Sequence, residues 1–157
     1  MILDPCCGSK MFWFDKDSDG VVFGDIRRES HVLSDGRSLV INPSVQMDFT
    51  MLPFASGVFE MVVFDPPHME TLGESSWMAK KYGRLLTGWQ TSLADGFSEC
   101  FRVLKIGGSL IFKWNEFDVP VSEVLKLARV KPMFGHKSGK HSKTHWLCFV
   151  KADRQAP

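Results

Sequence analysis

The chain predicts a single α/β domain on a mostly parallel sheet, and three observations predict it. Residues 61–64, Met-Val-Val-Phe, form an apolar run without alternation, the pattern of a strand buried on both faces. Three apolar segments end in a carboxylate, at Asp4, Asp25 and Asp65. Open α/β sheets bind ligands just outside the carboxyl ends of their strands. Along the chain the patterns run strand, helix, strand, strand, site strand, long helix, strand, helix, hairpin, which one α/β domain accommodates. That domain spans residues 1–151, with residues 152–157 as a short tail.

Residues 1–4 read as a strand ending at Asp4, followed by a turn of small residues, Pro5, Cys6, Cys7, Gly8 and Ser9. Residues 9–15 predict a short helix, with Ser9 as N-cap and Met11, Phe12 and Phe14 toward the sheet. Asp15-Lys16-Asp17-Ser18-Asp19-Gly20 mimics the start of a calcium loop, but Ile26 stands where the bidentate Glu is required. The reading that remains is a polar turn. Residues 21–25 form the second strand, and Asp25 lies 17 residues after Gly8, near the spacing that brings an acidic side chain to ribose hydroxyls. Arg27, Arg28 and Glu29 read as exposed surface charge. Residues 34–37 mark a turn and residues 38–42 a strand interrupted by Pro43.

The site strand, residues 61–64, stops at Asp65-Pro66-Pro67-His68. Proline has no N–H and a fixed φ, so the carbonyls here are free to accept bonds from a ligand. Residues 69–83 suit a mobile loop with a short helix at the mouth of the site, and Trp77, Lys80, Lys81 and Tyr82 can stack bases and track phosphates. Leu86, Trp89, Leu93, Phe97, Cys100, Phe101 and Leu104 recur every three or four residues, a helix stripe that stops at Lys105-Ile106-Gly107-Gly108. A strand over 109–114, a helix over 120–129 and strands over 130–134 and 144–150 complete the chain. The loop between the last two strands carries Lys137, Lys140 and Lys143 as phosphate contacts. His136, His141 and His145 have no Cys or carboxylate nearby in sequence, so no metal site is expected.

The bulk composition sets limits. At 157 residues the chain has room for one full core and not for a second recognition domain of any size. Hydrophobic content of 44% and charged content of 24% are those of a globular protein. No apolar run is long enough to span a bilayer and no signal pattern opens the chain, so a cytoplasmic protein without membrane contact is expected. Four cysteines lack metal spacing and are expected as reduced thiols. The net charge of +1 is polarised: residues 126–151 carry seven Lys or Arg and no Asp or Glu, whereas residues 1–125 are net acidic. Such polarity suits a phosphate-bearing substrate held at one edge. Neither a dinucleotide Gly-x-Gly-x-x-Gly nor a Gly-x4-Gly-Lys-Ser/Thr loop is present.

Asp65-Pro66-Pro67-His68, the Asp4 to Gly8 turn, Met47-Asp48-Phe49 with its "Leu-Pro-Phe" turn, and Arg102-Val103-Leu104-Lys105 before Gly107-Gly108 together resemble the class I S-adenosylmethionine-dependent methyltransferases. Within them the likeness is to enzymes that methylate exocyclic amino groups, whose fourth motif is Asp/Asn-Pro-Pro-aromatic. The resemblance implies a Rossmann-like, mostly parallel seven-stranded sheet with a C-terminal antiparallel hairpin and helices on both faces. It implies S-adenosyl-L-methionine as cofactor, held by Asp4, Pro5, Cys6, Cys7, Gly8, Asp25, Ile26, Asp48, Phe49 and Asp65. Asp65 and the Pro66 carbonyl would orient the amine, with Pro67 shaping the turn and His68, in the aromatic position, packing on the base. Nucleic acid is the implied substrate, with DNA adenine N6 favoured. An RNA base (adenine N6 or guanine N2) or a glutamine amide is the alternative, and a nucleic-acid-binding module without transfer is the reading from another class. Target recognition would come from loops, a protein partner or a homodimer.

Overall fold

The computed structural model describes residues 1–33, 35–71, 73, 76–139 and 141–153. Three apolar segments pair first: β1 (Ile2–Asp4) lies parallel to both β2 (Val21–Asp25) and β6 (Phe59–Phe64). Between β2 and β6 come β3 (Glu29–Val32) and β4 (Ser38–Ile41), an antiparallel pair in a sheet of their own, and the two-residue β5 (Val45–Gln46) beside β2. The helix α1 (Trp77–Tyr82) precedes α2 (Trp89–Val103), which passes directly into β7 (Leu104–Asn115). Then follow α3 (Val121–Leu125), β8 (Phe134–Lys137) and β9 (Thr144–Val150). The main sheet has seven strands in the order β5-β2-β1-β6-β7-β9-β8. The first five are mutually parallel and the last two form the expected antiparallel hairpin.

Strand alternation sorts the core. Leu3, Val62, Leu110 and Phe149 stand opposite one another in register on one face, all fully buried. Against this row α2 sets Leu93, Phe97, Cys100 and Phe101, and the Phe97 ring lies 4.9 Å from Phe112 and 5.6 Å from Phe64. Val124 of α3 joins the same core. The other face, with Val21 and Phe23, is covered by the turns of residues 5–20, where Trp13 meets the Phe23 ring edge-on at 5.3 Å.

Several elements depart from the sequence expectation. Residues 9–15 form turns, not a helix: Lys10 adopts φ 55°, and the Trp13 Nε1–H donates to Asp4 Oδ2 at 2.7 Å, which draws the segment down onto the sheet. Phe12 and Trp13 face inward, whereas Met11 and Phe14 point out. Glu29 belongs to a strand that alternation alone did not mark. Gly88, in the left-handed region, delays the long helix to Trp89. The helix expected over 120–129 ends at Leu125, and Arg129 at φ 55° closes the turn after it. The strand expected over 130–134 begins at Phe134, because Pro132 has no N–H and the first ladder donor is Met133 N, 2.7 Å from Cys148 O.

Gly96, inside α2, shows packing outweighing propensity. A Cβ there would lie 2.7 Å from Phe49 Cδ2 and 2.9 Å from Phe64 Cζ. Helix propensity favours alanine by about 1 kcal/mol, while forcing a methyl into a filled core costs about 1–3 kcal/mol. Gly96→Ala is therefore expected to lower stability by about 1 kcal/mol, read as a lower urea midpoint. A higher midpoint would mean that the two rings yield without cost.

Candidate active site

The strand order brings β2, β1 and β6 side by side, so Asp25, Asp4 and Asp65 stand in a row at their carboxyl ends. By register Asp4 stands level with Phe23 and one place beyond the Leu3–Val62 pair, so Asp25 and Asp65 reach two residues further on the same face, and each buried carboxyl needs donors of its own. Asp25, buried, accepts from Gly8 N at 2.9 Å, from Arg27 N at 2.9 Å and from Arg27 Nε at 3.1 Å. Asp4, with no exposed surface, accepts from Cys6 N at 3.1 Å and from Trp13 Nε1 at 2.7 Å. Asp65 is paired with Lys113, Nζ to Oδ2 being 2.5 Å. Its other oxygen, Oδ1, is buried and has no hydrogen-bond partner among the described residues.

Above this row lies a cleft of about 190 Å³ whose floor is Cys6, Cys7, Gly8, Asp65 and Pro66, with Arg27, Lys81, Tyr82 and Lys113 around it. It continues into a space lined by Pro5, Cys6, Asp25, Ile26, Phe49 and Pro67. Gly8, at φ +50°, takes a backbone conformation that side chains strain to adopt, and it brings its N–H to Asp25. Burial pushes the Cys6 thiol well up and the Cys7 thiol to about 12. Neither is a thiolate at neutral pH, so neither serves as a nucleophile.

The remaining candidates divide. Phe49 lines the cleft and meets Phe64 edge-on at 5.4 Å, whereas Asp48 is exposed, its Oδ1 accepting from the Thr50 N–H and hydroxyl at 2.8 Å each. His68 is buried, its ring 5.9 Å from Trp114 and 6.3 Å from Tyr82, and its Nδ1 lies 3.3 Å from the Pro66 carbonyl. Burial pulls its pKa below the ordinary imidazole value, so the ring is neutral at pH 7. Tyr82 therefore offers the more accessible aromatic face in the cleft. Lys81 lies over the rings of Tyr82 and the half-exposed Trp77, and Lys80 faces a separate space beside β3. Lys137 is paired with Glu116 at 2.8 Å, and Lys143 covers the Phe117 ring at 4.4 Å. Lys140 lies outside the described residues.

Two cations that sequence reasoning passed over hold the centre. Arg27 is no exposed charge: it is half-buried, grips Asp25, and donates to the Lys80 carbonyl of α1 at 2.9 Å. Lys113 stands beside Asp65 because Phe64 and Phe112 are register partners. A signal for it existed, a lone lysine inside the apolar stretch Ser109-Leu110-Ile111-Phe112-Lys113-Trp114. Among the described residues no three metal-ligating side chains gather, and no helix is long and apolar enough to cross a membrane.

No family model and no curated protein matches the chain. Solved structures do. A protein from Pyrococcus horikoshii superposes with TM-score 0.60 at 15% identity, over 96% of this chain and 81% of that one. The fold is the Rossmann-like class I methyltransferase fold. A TehB-like SAM-dependent methyltransferase from Corynebacterium glutamicum gives TM-score 0.59 at 15% identity, over 96% of this chain and 79% of that one. The T. thermophilus 16S rRNA N2-guanine methyltransferase, in complex with AdoMet and guanosine, gives 0.53 at 15%, over 99% of this chain and 36% of that one.

Asp4 makes the site's stability depend on pH. Burial raises its carboxyl from 3.8 to about 7, against the lowering donors Trp13 and Cys6. A folded value above the unfolded one means a contribution fully present below pH 4 and lost as pH rises through 7. Its full span is about 4 kcal/mol at 1.36 kcal/mol per unit. The stability difference between wild type and Asp4→Asn is expected to move steadily against wild type from pH 4 to pH 7.5, measured by urea unfolding at each pH. A constant difference would mean that Asp4 is already ionised across that range.

Proposed function

We propose that this chain is an S-adenosyl-L-methionine-dependent methyltransferase that acts on an exocyclic amino nitrogen of a nucleic-acid base in the cytoplasm, with DNA adenine N6 favoured. The observation that carries the reading is Asp65 Oδ1, a buried acceptor without a donor at the carboxyl end of the central strand, next to Pro66 and Pro67. An orphaned buried acceptor costs about 1–3 kcal/mol, and a ligand N–H removes that cost. The residues present fit the cofactor: Pro5, Cys6, Cys7, Gly8, Asp25, Ile26 and Phe49 line one continuous cleft with a small-residue turn at its floor and would hold it. When bound, the cofactor supplies an electrophilic methyl group. Asp48 would reach the adenine ring from the rim. For Asp25 to take ribose hydroxyls, the Arg27 guanidinium must give way.

The chain's own part is orientation. Asp65 Oδ1 accepts one amino N–H and the Pro66 carbonyl the other, which turns the nitrogen lone pair toward the cofactor. The Pro66 carbonyl has two lone pairs, so a neutral His68 donating from Nδ1 leaves one for substrate. Tyr82, with Trp77, Lys80 and Lys81, would stack the base and follow its phosphates, and Lys137, Lys140 and Lys143 would extend that path. A protein partner or second copy would supply sequence recognition. Guanine N2 of RNA is the second reading, favoured by the shared fold of the rRNA enzyme that holds guanosine.

Asp65→Ala is expected to reduce labelled-methyl transfer to mixed DNA and RNA by roughly a hundredfold or more. The affinity for S-adenosylhomocysteine, titrated calorimetrically, should stay within about threefold, since Asp65 acts on the amine. Equal losses in both would sink the orienting role. Absence of any cofactor binding by wild type would leave a nucleic-acid-binding module as the better account.

A further inference from the structure

Two clefts meet at one wall. The cleft over Gly8 and a neighbouring one of about 200 Å³ share three side chains, His68, Tyr82 and Lys113. The second cleft is completed by the apolar Met69 and Met78 and by Asn115 and Thr144. Of these two clefts, Asp65 and the Gly8 turn line only the first, whereas Lys113 lines both. The Lys113 ammonium has three N–H groups. One goes to Asp65 Oδ2 at 2.5 Å; the nitrogen lies 5.5 Å from the Phe12 ring centre and 5.8 Å from that of Trp146, and no other oxygen among the described residues accepts from it.

Beside the Gly8 cleft, Asp65 therefore offers an acceptor without a donor among the described residues, and Lys113, which lines both clefts, stands next to it as a donor with N–H groups to spare. A cation here also opposes the binding of a sulfonium, a cost that a role in reading the acceptor offsets. We propose that Lys113 is a specificity-determining residue that selects amines flanked by an in-plane hydrogen-bond acceptor. The inference rests on the proposed function and deepens it. Asp65 Oδ1 takes the amine N–H while Lys113 Nζ donates to the adjacent ring nitrogen, an edge that adenine presents with its N6 amine and N1 and cytosine with its N4 amine and N3. An amine without that neighbour leaves the ammonium unanswered in a half-buried place. If Lys113 merely neutralises Asp65, its removal weakens every acceptor alike.

The test compares two single-stranded oligodeoxynucleotide pools of random sequence, one with adenine and one with 1-deazaadenine, in which a C–H replaces N1. Labelled-methyl transfer to each is measured for wild type, Lys113→Met and Lys113→Gln. In parallel, 9-methyladenine and its 1-deaza analogue are titrated by NMR into protein saturated with S-adenosylhomocysteine. Wild type is expected to favour the N1-bearing probe roughly tenfold or more in both measurements, as a hydrogen bond to a charged donor implies. Lys113→Met should bring both ratios near one, and Lys113→Gln should restore part of the preference. A wild-type ratio near one, or an unchanged ratio in Lys113→Met, overturns the proposal and leaves base methylation standing. Absence of transfer to the adenine pool by wild type overturns base methylation at adenine instead, and the NMR ratios then support or overturn the role of Lys113 by themselves.

Discussion

Three carboxylates in a row at the carboxyl edge of a parallel sheet form the constraint on which the rest of the structure depends. Asp25, Asp4 and Asp65 close adjacent strands on one face of the sheet, with Asp4 set two residues back in register from the other two. Their burial, with a smaller share from mutual repulsion, is answered locally, by the Gly8 amide and Arg27 on one, the Trp13 indole and the Cys6 amide on the next, and Lys113 on the third. Each answer shapes a loop. The Gly8 turn is pinned to Asp25, residues 9–13 are drawn onto the sheet by Trp13, and α1 is tied down where Arg27 donates to Lys80 O.

The same row gives the cleft its chemistry. Two of the carboxylates have donors on both oxygens, so they serve the architecture before any ligand arrives. Of the three, Asp65 keeps a buried oxygen without a donor among the described residues. It stands where two prolines leave carbonyls out of the ladder and beside Lys113, which lines both clefts. The asymmetry among three chemically identical groups lies in the donors that each one meets. Core packing supports that placement from below, since Phe64, the residue before Asp65, is held by Phe97, Phe112 and Phe49.

Much of this was legible in the residues. The unalternating run before Asp65, the carboxylates closing β1 and β2, and the stripe from Leu93 to Phe101 each carry a local, periodic signal, and each lies where the pattern puts it. What escaped depends on partners distant in sequence. The helix expected over 9–15 has acceptable propensity but loses to one indole–carboxylate bond. Arg27 reads as surface charge until β2 and α1 are brought together, and His68 reads as a stacking ring until Trp114 and Tyr82 enclose it.

The sequence by itself determined the element types, the positions of the acidic strand ends and the Asp-Pro-Pro stop, because these follow from side-chain periodicity and proline's missing N–H. Only the tertiary structure decided which carboxylate keeps a buried oxygen without a donor among the described residues. That depends on which donors reach it from 48 residues away, as Lys113 reaches Asp65, and strand register, not local chain preference, sets those distances.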